Sequence, residues 1–225
     1  MVRLASAPEP DALVAELVAG RPVLVLQNLR LRSWPAWHYA VLVGVDPPRN
    51  ALVLRSGTEA RRVTPAAAFL RSWDRAGRWG LVLLAPGELP ARPDRARYFD
   101  AVAGLEETGR YAAAAHGWRA ALTAWPDDLV ARFGLATALH LDGELTAAQV
   151  EYEALLQLEP QHAAALNNLA NLRRDQGCPA SARVLALRAV AAADSGGEVA
   201  AAAAATLRGL PAGAIDQASC APALP

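Results

Sequence analysis

A repeat is the feature that most constrains this chain. Gly109, Gly143 and Gly177 stand 34 residues apart, Ala114, Ala148 and Ala182 keep the same step, and so do Pro126 and Pro160. A fixed period of this length marks a supersecondary unit that cannot bury its apolar face alone and must stack on its neighbours. Glycine past a helix end accepts the left-handed backbone of a C-terminal cap. A small alanine soon after it lets paired helices approach closely, and proline stops the second helix before the next begins. The spacing predicts helix pairs at 94–107/111–124, 128–141/145–158 and 162–175/179–192. Tyr98, Arg132 and Leu166 share one register position, and Trp118, Tyr152 and Ala186 share another.

These residues at this period resemble the tetratricopeptide repeat (TPR). The resemblance implies three repeats over 94–193 in an all-α superhelix, closed by a capping helix within 194–210. Residues 211–225, rich in Pro and Ala, are expected to form a disordered tail. Such arrays turn the first helix of each pair toward a concave face that takes an extended peptide or a partner helix. The candidates on that face are Phe99, Glu106, Phe133, Thr137, His140, Asn167, Asn171 and Arg174. An Asn amide there can both donate to and accept from a peptide backbone. The expected partner is a protein or peptide.

The N-terminal half follows another rule. "DALVAELVAG" (11–20) has helical periodicity and ends on Gly20, whereas "RPVLVLQNL" (21–29) is a short apolar run, hence a buried strand. "WHYAVLVGVD" and "ALVLRSG" read as two further strands joined by the turn "PPRN". "TPAAAFLRSWDRAG" (64–77) reads as a helix capped by Thr64 with Pro65 at its first position. "RWGLVLLAP" (78–86) is a last strand, and "GELPARP" a linker. The order α-β-β-β-α-β predicts an α+β sheet domain rather than a dinucleotide fold.

His38 is one of four histidines and opens the strand "HYAVLVGVD". The Pro-led strand "PVLVLQN", His-Tyr opening a strand that closes Gly-x-Asp, the hairpin return and "F..W" on a helix together resemble a papain-like cysteine peptidase. The bacteriocin-processing, double-glycine group is the nearest likeness, and fusion to C-terminal repeats after "LLAPGELP" suits that layout. The resemblance implies that residues 1–90 are the C-terminal part of such a domain, with His38 as the general base that deprotonates a cysteine. It also implies a polar group that orients the imidazole. Ser56 occupies the place of the usual carboxylate. Asp46, the nearest acid in sequence, lies about 25–30 Å along the strand, so Ser56 ranks first. No cysteine precedes His38; Cys178 falls in a repeat turn and Cys220 in the tail. The nucleophile-bearing part is therefore expected to be missing and the chain to be inactive alone. The alternative is a non-catalytic TPR scaffold.

Composition narrows the remaining classes. Every basic residue is Arg and none is Lys, which removes Walker-type phosphate loops and Schiff-base chemistry. The Ala- and Arg-rich makeup suits a GC-rich bacterial genome. Residues 1–93 carry 12 Arg against 7 acids, and residues 94–225 carry 10 against 15. Neither half is basic enough for nucleic acid, and opposite signs suggest two modules. The two cysteines have no metal-ligand spacing, a disulfide scaffold is not expected, and nothing calls for a cofactor or metal. With no membrane-length apolar segment and no signal peptide, the chain as written reads as soluble and cytoplasmic; a full-length parent could be exported. The oligomeric state is not legible.

Overall fold

The computed structural model describes residues 2–3, 9–213, 215, 216 and 220. The chain divides into two compact units, Met1–Gly104 and Leu105–Pro225.

The first unit contains β1 (Val2–Arg3), α1 (Pro10–Val18), β2 (Val23–Asn28), β3 (Trp37–Asp46), β4 (Ala51–Ser56), β5 (Glu59–Pro65), α2 (Ala66–Arg75) and β6 (Gly80–Val82). The strands form one antiparallel sheet in the order β1-β6-β2-β3-β4-β5. Directly opposed residues of neighbouring strands share a face. Val23, Val25 and Gln27 of β2 oppose Leu42, Ala40 and His38 of β3, and Leu42 opposes Leu54 of β4. That face holds the core: Val23, Val25, Leu42 and Leu54 are buried together with Phe69 and Trp73 of α2. The Trp73 indole N–H donates to the Trp79 carbonyl at 2.9 Å, so the largest core side chain leaves no polar atom unpaired.

Several boundaries depart from the sequence reading. β5 is an unexpected strand because "EARRVTP" has no apolar run. It is an exposed edge strand, where charged side chains discourage pairing with another chain. A two-residue turn with Gly57 at φ 59° leads into it. Thr64 belongs to this strand, paired with Leu52, so it does not cap α2; Pro65 occupies the N-cap position without a side-chain hydrogen bond. β1 adds a strand N-terminal to α1, pairing Val2 with Val82 and Arg3 with Leu81. β6 is shorter than 78–86, and the segment expected to be a linker is tied to the first unit. There the Ala91 N–H donates to the buried Glu16 carboxylate at 2.7 Å, and Arg21 pairs with the same group at 2.6 Å. The first unit accordingly runs past residue 90.

The helices that follow are α3 (Arg95–Glu107), α4 (Tyr111–Ala124), α5 (Leu129–Leu141), α6 (Leu145–Leu158), α7 (Ala163–Asp175), α8 (Pro179–Ala192) and α9 (Glu198–Gly209). They fall within a residue or two of the repeat spacing. Gly109, Gly143 and Gly177 all have positive φ, between 70° and 87°. This left-handed conformation lets the backbone N–H groups of Arg110, Glu144 and Cys178 close back onto the preceding helix ends at 2.8–2.9 Å. Ala114, Ala148 and Ala182 are fully buried, as close helix packing requires. Gly134 serves the same end: any Cβ there would overlap the Trp118 ring.

The cysteine reading is corrected. Cys178 and Cys220 form a disulfide, joining the α7–α8 turn to the tail. Asp216 adds a second tie: its carboxylate accepts from the Ala180 N–H at 2.6 Å, the Ser181 N–H at 3.0 Å and the Ser181 hydroxyl. The tail expected to be disordered is thus anchored at these two residues. The rest of that expectation, at 214, 217–219 and 221–225, lies outside the described residues. Spacing gave no sign of the disulfide because the two cysteines are 42 residues apart, one in a repeat turn and the other in the tail beyond the last helix. Among the described residues no helix is long and apolar enough to cross a membrane.

Candidate functional sites

The period-two face of the sheet decides what His38 meets. His38, Ala40 and Leu42 point the same way along β3, and Leu54 and Ser56 do so along β4. The helix-covered face therefore receives both His38 and Ser56. His38 Nε2 lies 2.7 Å from Ser56 Oγ, with His38 half-buried and Ser56 buried. Beside them Gln27, opposite His38, donates from Nε2 to Ser72 Oγ at 2.7 Å, and Ser72 donates to the Phe69 carbonyl at 2.7 Å. Asp46 sits at the other end of β3, paired with Arg49 at 2.9 Å. Of the two proposed orienting groups, only Ser56 touches the imidazole.

The cleft above this pair has a volume of about 270 Å³ and is walled by β2, β3, β4, β5 and α2. The contribution of α2 was missed in the sequence. Ala68, Arg71, Ser72 and Arg75 line the cleft, and their spacing of three and four residues, which puts them on one helix face, is the signal that could have found them. Trp37 and Tyr39 alternate to the opposite face and are exposed, as is Trp34, whereas Trp73 is core. Cys178 and Cys220 are both oxidised, so neither offers a thiol to His38.

The repeat-face candidates separate by burial. Phe99 and Asn167, each 7% exposed, are largely packed away and present little surface to a ligand. Glu106 accepts from the Trp118 indole N–H at 2.6 Å. Burial raises its carboxyl pKa, and that hydrogen bond pulls it partly back. Phe133 stacks on His162 with ring centres 5.2 Å apart, and Thr137 shares a 3.1 Å hydrogen bond with Tyr152. His140 reaches Asp175 at 3.3 Å, linking α5 to α7. Arg174 is exposed and donates to the same Asp175, at 3.1 and 3.0 Å. Asn171 donates to Asn167 O and to Thr206 of α9, so the capping helix occupies one end of the face.

No family model matches the chain, and no curated protein matches it. Solved structures resemble part of it. The Yersinia enterocolitica type III secretion chaperone SycD, in complex with a peptide of the translocator YopD, is 15% identical with a TM-score of 0.47, over 50% of this chain and 88% of that one. Another structure of the same translocator chaperone is 16% identical with a TM-score of 0.47, over 50% and 79%. The Sgt2 TPR domain from Aspergillus fumigatus is 18% identical with a TM-score of 0.47, over 61% and 97%. At that level of similarity the likeness is to the helical architecture and carries no argument about function.

Proposed function

We propose that this chain is a non-catalytic scaffold whose helical repeats bind an extended polypeptide. The observation that carries the reading is the register of partly exposed polar side chains on neighbouring first helices. Thr137 and Asn171 are 34 residues apart, as are His140 and Arg174, and His140 on α5 reaches Asp175 on α7. A polypeptide laid across α5 and α7 would meet the same pair of positions once per repeat. The test is fluorescence anisotropy of the full chain against an array of labelled peptides. The double variant His140→Ala/Arg174→Ala is expected to weaken the bound peptides by about tenfold, and Val150→Ala, exposed on α6, to leave them unchanged. Equal affinity for both variants, or no bound peptide in the array, sinks the reading.

The His38–Ser56 contact supports a second reading, that the sheet unit is the base-bearing part of a papain-like peptidase. In it His38 is the base and Ser56 holds its ring, in the manner of a third catalytic group. Because the disulfide occupies both thiols, the full chain is expected not to cleave fluorogenic peptides. Turnover that His38→Ala abolishes would show that a nucleophile is present and would displace the scaffold reading.

A further inference from the structure

The cleft over His38 and Ser56 has a charge pattern that neither reading uses. Ten residues line it; three are arginines (Arg62, Arg71 and Arg75), one is His38, and none is acidic. The acids nearest in sequence to those arginines are committed or distant from neutralising them. Asp74 is held by Arg78 at 2.5 Å, and Glu59 approaches Arg62 only at 3.9 Å with both side chains about half exposed. Arg71 is exposed and forms no ion pair among the described residues. Arg75 is oriented by the chain itself: its Nε and one Nη donate to the Asn28 carbonyl at 3.1 and 2.9 Å. That carbonyl is a dipole and not a counter-charge, so the guanidinium is fixed in direction while, among the described residues, its charge has no ion-pair partner.

Arginines held against a pocket wall are suited to an oxyanion, because the planar fork matches two oxygens of a carboxylate or phosphate. Thr64 also lines the cleft and brings a hydroxyl donor. A volume of about 270 Å³ lies below the usual range for drug-sized ligands, so a small anion or the anionic end of a larger molecule fits better than a whole cofactor. From the net positive lining, the pre-oriented Arg75 and the unpaired Arg71, we infer that this cleft is a binding site for an oxyanionic group, a carboxylate or a phosphate. The inference does not depend on peptide binding by the repeats or on peptidase chemistry.

The test uses the full chain and three probes, followed by titration calorimetry and by the His38 imidazole resonances: inorganic phosphate, N-acetylglycinate, and uncharged N-acetylglycinamide. The expected result is saturable binding of phosphate or of the glycinate at a Kd of about 1 mM or tighter, with none of the amide. Preference between the two anions identifies the source of the charge. Arg71→Gln, an exposed position whose change leaves the core intact, is expected to weaken binding by about tenfold, the scale of one charge-assisted hydrogen bond. Arg61→Gln removes the same charge from an exposed residue outside the cleft and is expected to change affinity little. Three results would overturn the inference: no saturable binding of either anion, equal binding of the amide, or equal weakening by the two variants, which would mean diffuse attraction rather than a site.

Discussion

The two units of this protein reach stability by opposite routes. In the helical unit each glycine-closed turn and buried alanine recurs at the same step, and most contacts join helices adjacent in sequence. In the sheet unit β2 to β5 pair in chain order, but the sheet is completed by distant pairings: β2 sits between β3 and β6, so Val23 opposes both Leu42 and Val82, and β1 pairs with β6. Repetition spreads the helical unit's stability over many similar small contacts. The sheet unit concentrates its own in a few large side chains where distant segments meet. The difference teaches where each is fragile, and it can be broken experimentally.

The largest expected effect is therefore in the sheet unit. Trp73→Ala removes a fully buried ring that packs on Phe69 and bonds to the Trp79 carbonyl. It should cost about 3–5 kcal/mol in denaturant unfolding, with hydrogen-exchange protection of β2 and β3 lost first. A loss below 1 kcal/mol would mean that the stability of this unit is not concentrated there. Next comes the one long-range covalent tie in the helical unit. Cys220→Ser, or reduction, opens a loop spanning 42 residues and should lower stability by about 2–4 kcal/mol. A melting temperature indifferent to reductant would return the helical unit to a purely nearest-neighbour description. The smallest effect is electrostatic. Burial alone would raise the Asp216 pKa, but hydrogen bonds from Ser181 and Ala180 and the charge of Arg173 bring it below its ordinary value. A carboxyl depressed in the folded state stabilises above its unfolded pKa, and the contribution fades as pH falls through the folded one. Melting temperature should thus sag from about pH 5 downward and sag less in Asp216→Asn, which has already lost the charge at neutral pH. Identical acid limbs would remove Asp216 as a tie.

Legibility in the sequence tracked the distance over which each feature is decided. The helix pairs were readable because helix caps, turn glycines and the period of 34 are local signals. β3 and β4 were readable from alternation and apolar runs, while β5 was not, because an edge strand rich in arginine has neither. Its one clue was the "SG" dipeptide of the turn. His38 was visible as a candidate from its neighbours, and Ser56 from its place after the hairpin. The arginines of the cleft were invisible as a group, since Arg62 lies on a strand and Arg71 and Arg75 on a helix. Phe99 and Asn167 occupy the right register for a binding face, yet register does not report burial, and both are packed inside.

By itself the sequence determined the repeat architecture, the presence of a sheet unit ahead of it and the lack of lysine chemistry. All three are matters of local pattern or composition. Only the tertiary structure decided that His38 and Ser56 meet at hydrogen-bond distance, that Cys178 is bound to Cys220, and that three arginines line one cleft. Those outcomes depend on strand register and helix docking, which couple residues with no local signal of their partnership. A shift of one residue in the β3–β4 pairing would turn Ser56 to the opposite face from His38.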